Sequence, residues 1–327
     1  MYPIQFKNIL KHRIWGGESI TKKLGRENST NDLLIGESWD ICDREEDQSI
    51  VLNGEFKGLT IQELREQHGK IFGSKFNLSK PFPILVKILD AKQDLSLQVH
   101  PKKSNLSQLS SDSQPKSEFW YILDHEKNSK IMSGLNKDSY TDTIKFKEDF
   151  IANLNSPDLI NFVNITQTQK DKLIYVESGT IHAIGAGNLI LEIQENSDTT
   201  YRVSDWGRVD ANSKPRDLHI SESLICIDFK GEDQALINDV DTTKDYKVVD
   251  SKYFETYSYA IKGENSFNTT SETCVLLSLT NGNISVECDF EVLLKKGDTI
   301  LLPADQHFKI TNKDNTPANI LITKPKY

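Results

Sequence analysis

Alternation of apolar and polar side chains is the first pattern along the chain. In Leu95-Ser-Leu-Gln-Val-His100 the apolar residues Leu95, Leu97 and Val99 alternate with Ser96, Gln98 and His100. Successive strand side chains point to opposite faces, so the three polar groups share one face. Most of the sequence is built alike, from runs of about four to eight residues rich in Ile, Val, Leu, Phe and Tyr, broken by Gly, Asp, Asn and Ser. The pattern predicts a mainly β protein. Pro83-Ile-Leu-Val-Lys-Ile-Leu89 is apolar on both faces except at Lys87, which must snorkel or meet an anion, either a ligand phosphate or an internal carboxylate.

Two stretches read as helices. Thr60-Ile-Gln-Glu63 has capping-box spacing and predicts a helix continuing through Leu64 to Ile71, and residues 147–154 predict a second before Ser156-Pro157. Residues 104–117 read as a polar loop joining two strands.

One plan occurs twice. Asp171-Lys-Leu-Ile-Tyr-Val-Glu-Ser-Gly-Thr-Ile-His182 is an apolar strand entering a small-residue turn and a histidine, and Gly297-Asp-Thr-Ile-Leu-Leu-Pro-Ala-Asp-Gln-His307 repeats it. Such corners suit a jelly-roll β-barrel, although two unrelated hairpins would look the same. The expected organisation is a larger catalytic unit over residues 1–240, carrying the short helices, and a smaller metal-free β unit over 241–327.

Composition narrows the partners. The 327 residues carry a net charge of −9, which argues against nucleic acid, whose phosphates are met by clustered Lys and Arg. An anionic substrate would need a local basic pocket. The four cysteines, Cys42, Cys226, Cys274 and Cys288, show no CxxC spacing, and reduced thiols in a cytoplasmic protein are expected. No apolar run approaches a membrane span, and Met1 to Leu10 lacks a signal-peptide core.

The chemistry concentrates in three places. Gln98 and His100 share a strand face, Glu118 lies with Lys116 and Trp120 on one face of Lys116-Ser-Glu-Phe-Trp-Tyr121, and His182 follows the Ser178-Gly179 turn. An amide oxygen, two imidazoles and a carboxylate suit Zn²⁺ with a position left open. Taken singly, each is more simply a hydrogen-bonded or surface residue; only convergence on a barrel makes a site of them.

The motifs Ser96-Leu-Gln-Val-His-Pro101, Lys116-Ser-Glu-Phe-Trp-Tyr121, Ser178-Gly-Thr-Ile-His-Ala183 and Leu191-Glu-Ile-Gln-Glu-Asn-Ser-Asp-Thr-Thr-Tyr-Arg202 resemble, in order, those of type I mannose-6-phosphate isomerases of the short bacterial form. Trp15-Gly-Gly17, Gly36-Glu-Ser-Trp39 and Pro83 to Asp90 add to the likeness. The resemblance implies a cupin fold, one zinc per chain with Gln98, His100, Glu118 and His182 as ligands, and interconversion of mannose 6-phosphate and fructose 6-phosphate through an enediol. It also implies catalytic roles for Arg202 and Glu192, and substrate binding by Ser96, Lys87 and Lys116. The chain departs from many relatives in having Lys116-Ser-Glu in place of Lys-Pro-Glu.

From the residues alone, Arg202 would pair with Asp198 or Asp205, Glu192 would be an exposed strand residue, and Trp15 and Trp39 would be core aromatics or walls of a sugar site. A sugar-binding cupin without activity and a metal-dependent oxygenase or epimerase on the same barrel remain alternatives. A sugar phosphate is the expected small-molecule partner, and the chain is expected to be a monomer or homodimer.

Overall fold

The computed structural model describes residues 1–26, 34–209, 212–231 and 235–327. In chain order the first strands are β1 (Ile4–Gln5), β2 (Ile9–Gly17), β3 (Ile35–Ile41), β4 (Ile84–Ala91), β5 (Leu97–Val99), β6 (Glu118–His125) and β7 (Lys130–Leu135). Next come β8 (Val163–Gln167), β9 (Lys172–Val176), β10 (His182–Ile184), β11 (Asn188–Glu195), β12 (Tyr201–Ser204) and β13 (Leu236–Asp239). Strands β2 to β13 form two facing antiparallel sheets. One has the order β13-β9-β6-β11-β4-β3-β2 and the other β12-β5-β10-β7-β8, the two-sheet jelly-roll arrangement of a cupin.

A second, smaller pair of sheets follows, from β14 (Tyr246–Asp250), β15 (Phe254–Ile261), β16 (Gly263–Asn268), β17 (Val275–Asn281), β18 (Asn283–Glu287), β19 (Glu291–Lys295), β20 (Thr299–Leu302), β21 (His307–Asn312) and β22 (Ala318–Pro325). Its larger sheet, β1-β20-β17-β22-β15-β14, takes β1 from the opposite end of the chain, with Ile4 opposite Leu301.

The large sheet of the first unit is covered on both faces, which explains why its strands read as nearly continuous apolar runs. Val86, Ile88, Phe119, Tyr121, Leu191 and Ile193 point back into a core shared with Phe254, Leu276 and Leu321 of the second unit. The Phe119 and Phe254 ring centroids lie 5.6 Å apart. The alternate positions Lys87, Trp120 and Glu192 face the other sheet. Burial of such apolar side chains contributes about 1.5–3 kcal/mol each, so the sheet is held rigid from behind while its front face carries polar groups.

The helices differ from the sequence pattern at their ends. In α2 (Ile61–Gln67), after the single-turn α1 (Ser19–Lys22), the capping box forms: Glu63 N donates to Thr60 Oγ1 at 3.1 Å and Thr60 N to Glu63 Oε2 at 2.8 Å. It stops before Gly69, and a 3-10 turn over Gly69–Phe72 completes the expected span. The second expected helix, α3 (Thr143–Ala152), begins before Lys147 because Asp142 accepts from Ile144 N at 2.8 Å, and it buries Phe146 and Phe150. α4 (Ile220–Cys226) packs behind β12. The segment 104–117 opens with a 3-10 turn over Lys103–Gln108 instead of being loop throughout.

Candidate metal centre and isomerase site

Register places the polar groups in rows. On the smaller sheet Arg202 of β12 lies opposite Gln98 of β5, and Gln98 lies opposite His182 of β10. His100, two residues past Gln98, falls on the same face. On the facing sheet Trp120 of β6, Glu192 of β11 and Lys87 of β4 are register partners, and Glu118 opens β6. A turn joins two of these segments: Gly179 adopts φ 95°, a conformation glycine accepts freely, and its N–H donates to His100 O at 2.9 Å.

His100, Glu118 and His182 converge, with one donor atom from each lying within 4.8 Å of the others. Their side chains are no more than 1% exposed. His100 Nδ1 is 2.8 Å from Thr199 O and His182 Nδ1 is 2.8 Å from Thr180 O. Each contact fixes the proton on Nδ1 and leaves the Nε2 lone pair free, an outer-shell arrangement common for metal-binding imidazoles. Those Nε2 atoms lie 3.4 and 3.5 Å from Glu118 Oε2 and Oε1.

His100 Nε2 and Glu118 Oε1 are buried without a hydrogen-bond partner, while Glu118 Oε2 meets the Lys116 ammonium at 2.8 Å. Buried polar atoms rarely stay unpaired, because the desolvation cost is not recovered. Two such atoms facing one point, beside the His182 imidazole, fit a cation. Gln98 Nε2 approaches His182 Nε2 at 3.3 Å, and rotation of the amide turns Oε1 toward the same point.

Electrostatics favour deprotonated donors. Burial, then the charge of Lys116, pulls His100 down to about 3, and burial also lowers His182. Burial alone would raise Glu118, but Lys116, with Nζ 2.8 Å from Oε2, and the two imidazoles outweigh it and hold the carboxyl well below its usual range.

Glu192 is the opposite case. Burial and the negative charge of Glu118 outweigh Lys116 and Lys87, raising its carboxyl to about 7. Trp120 Nε1 donates to Glu192 Oε2 at 3.0 Å, while Lys87 and Lys116 Nζ lie 3.8 and 3.9 Å from Oε1. Glu192 is thus buried between two strands, not an exposed strand residue. Lys87 meets internal carboxylates, with Asp198 Oδ1 at 3.2 Å, and its ammonium stacks 4.8 Å from the Trp39 ring centroid.

Arg202 pairs with neither Asp198 nor Asp205: its Nη1 donates to Asp217 O at 3.2 Å. It lines a cleft of about 400 Å3 together with Ser96, Gln98, Lys87, Lys116 and Glu192. Trp15 lines the same cleft, whereas Trp39 lies buried beneath Lys87. Arg13, Glu37, Asp198, Arg216 and His219 also line it. Sequence reasoning gave Arg13 and Arg216 no role because they lie on an edge strand and a loop, where charged residues are ordinary. His307, the counterpart of His182 in the repeated plan, is exposed and contacts Asn268 Oδ1 at 2.7 Å.

Comparison with known proteins agrees with this layout. Residues 4–116 match the family profile described as phosphomannose isomerase type I, catalytic domain. The mannose-6-phosphate isomerase ManA of Bacillus subtilis is 33% identical over 307 residues, spanning 92% of this chain and 93% of the relative. The chain belongs to the type I phosphomannose isomerase family. A mannose-6-phosphate isomerase of Streptococcus mutans is 32% identical over 92% of both chains. The crystal structure of the mannose 6-phosphate isomerase from Bacillus subtilis superposes with a TM-score of 0.83 at 30% identity, covering 99% of each chain. Membership makes this chain an isomerase with the cupin architecture of its relatives. No helix among the described residues is long and apolar enough to cross a membrane.

Proposed function

We propose that the protein is a zinc-dependent aldose-ketose isomerase that interconverts D-mannose 6-phosphate and D-fructose 6-phosphate through an enediol. The observation that carries this reading is the buried set His100, Glu118 and His182, with its orphaned lone pairs, beside a Glu192 carboxyl held near neutrality. Zn²⁺ bound by these three residues and Gln98 would act as a Lewis acid toward the sugar oxygens at C1 and C2.

The chain supplies the remaining chemistry. Glu192 Oε2 is engaged by the Trp120 indole, which leaves Oε1 to take the proton from C2. As that C–H bond breaks, C1 and C2 become doubly bonded and the carbonyl electron pair moves onto O1. Transfer of the O2 hydroxyl proton to O1 and return of the proton from Glu192 to C1, with O2 becoming the carbonyl, complete the aldose-to-ketose conversion. A base with a pKa near 7 is matched to both halves of the shuttle. Arg202, always charged, stabilises the developing oxyanion from the opposite sheet, and Ser96, Lys87 and Lys116 hold sugar hydroxyls. A purely sugar-binding protein has no use for a carboxyl poised in this way.

Residues 1–240 form the catalytic unit in this reading and residues 241–327 a metal-free companion. The four unpaired thiols suit a reducing cytoplasm. Metal analysis with a coupled isomerase assay tests the proposal: chelation should abolish interconversion and Zn²⁺ restore it. Full turnover by metal-free protein would overturn it.

A further inference from the structure

We propose that Arg13 and Arg216, reaching from opposite walls into the open end of the cleft, form the docking site for the phosphate group of the substrate. The idea rests on the sugar-phosphate reading above but concerns residues outside the metal and proton-transfer set.

Exposure sets the direction of the cleft. The metal-site side chains are at most 1% exposed and Lys87 and Lys116 are 4% exposed, whereas Arg13 and Arg216 are 31% and 24% exposed. A hexose phosphate with C1 and C2 at the buried end therefore carries its phosphate toward the arginines.

The lysines are poor alternatives, because they are buried beside the carboxylates at the metal end of the cleft. Lys116 sits on Glu118, and Lys87 on Asp198 and Glu192. The arginines are differently placed. Arg13 on β2 donates through Nε and Nη2 to the two oxygens of Glu37, at 2.9 and 3.0 Å. Arg216 donates through Nε to Asp205 Oδ2 at 2.8 Å and through Nη2 to Oδ1. Each carboxylate occupies one edge of a planar fork and fixes its orientation. Arg13 Nη1 also donates to His12 O at 3.1 Å; the Nη hydrogens still left on the two forks are pre-organised for a tetrahedral oxyanion, so less side-chain entropy is lost on binding.

Opposite Gln98 in register lies Arg202, whose guanidinium donates to the Asp217 carbonyl and, among the described residues, forms no ion pair with a carboxylate. Burial and then the charge of Arg216 lower its pKa, with Arg13 a further contributor. The cleft lining sets Arg13, Arg202, Arg216, Lys87 and Lys116 against Glu37, Glu192 and Asp198, an excess of cationic groups in a protein of net charge −9 that gives an anionic substrate a local positive field. Asp205 holds Arg208 as well as Arg216, so it keeps a partner when Arg216 is changed.

The test compares wild type, Arg216→Gln, Arg13→Gln and Arg216→Lys, each loaded with zinc, using inorganic phosphate as the probe in calorimetry and as an inhibitor of turnover. Loss of one charge-assisted contact should raise the phosphate Kd and the KM for mannose 6-phosphate together, by about 10- to 100-fold. In the same variants kcat should stay within about threefold and zinc content should be unchanged. Arg216→Lys should recover part of the loss. An unchanged phosphate Kd in both glutamine variants, or a fall in kcat alone, overturns the clamp. Wild type that binds phosphate through these arginines yet never turns over mannose 6-phosphate upholds the clamp and sinks the isomerase reading instead.

Discussion

Trp120 donates its indole N–H to Glu192 at 3.0 Å across neighbouring strands on which the two residues are register partners. A hydrogen bond to the charged form of a carboxyl lowers its pKa. This bond therefore moderates the upward push that burial and Glu118 exert on Glu192. Trp120→Phe removes it, so the carboxyl pKa rises further and less of the base is ionised at pH 7. The acid limb of the kcat profile should move to higher pH, with activity recovering as pH is raised. A limb that stays in place would show that the limb reports some other group.

Glu192→Gln keeps the shape and the Trp120 contact but cannot carry the proton. The expected loss in kcat is about 10²- to 10⁴-fold, typical for removal of a positioned acid-base group, with bound zinc unchanged. Retention of most turnover in zinc-loaded Glu192→Gln assigns the proton to another residue.

In the proposed zinc site Glu118→Ala would remove one donor, and it leaves Lys116 without its close carboxylate. Outer-shell changes alone cost roughly 10- to 100-fold in metal affinity, so loss of a donor should exceed that. Competition with a chromophoric chelator measures it, and wild-type zinc affinity in the variant would remove Glu118 from the ligand set.

Arg26 clamps Asp40 through two bonds of 2.6 and 2.7 Å and also donates to Gly297 O at 2.8 Å, joining the two sheet pairs. Both side chains are nearly fully buried. Arg26→Met leaves the buried carboxylate only the hydrogen bonds from Asn8 and Ser38, each at 3.0 Å, and breaking one side of a buried pair costs about 3–5 kcal/mol. Urea unfolding reads this directly; a change near zero means that water or another donor replaces the arginine.

Glu195 is raised to about 7, chiefly by burial, although its Oε2 accepts from Ser117 N at 2.8 Å. Between its unfolded pKa and 7 the folded protein binds more protons than the unfolded chain, so this group makes stability fall as pH rises. Glu195→Gln keeps an acceptor for Ser117 and removes the penalty. The variant should gain on the order of 1–3 kcal/mol over wild type at pH 8 and much less at pH 5. A gain independent of pH would point to packing instead.

Much of the architecture is local in origin. Alternation alone put Gln98 and His100 on one face, the Thr60 and Glu63 pair announced a helix start, and Lys87 stood out as a charge inside an apolar strand. Helix α3 was placed too late because its Asp142 cap lies upstream of the apolar positions that marked it. The strand period distinguishes one face from the other but does not say which strand lies alongside, so alternation alone did not bring Glu118 to His100 and His182; only the motif resemblance implied that set, and the structure brings the three together. Nor did alternation reveal that β1 would complete the distant C-terminal sheet. Side-chain alternation and capping are properties of neighbouring residues, and the sequence determines them directly. Charges are different: whether Lys87 meets Asp198, whether Arg202 pairs with Asp198 or Asp205, and whether Glu192 is pushed toward neutrality depend on long-range pairing and on how much water the fold excludes, and only the tertiary structure decides both.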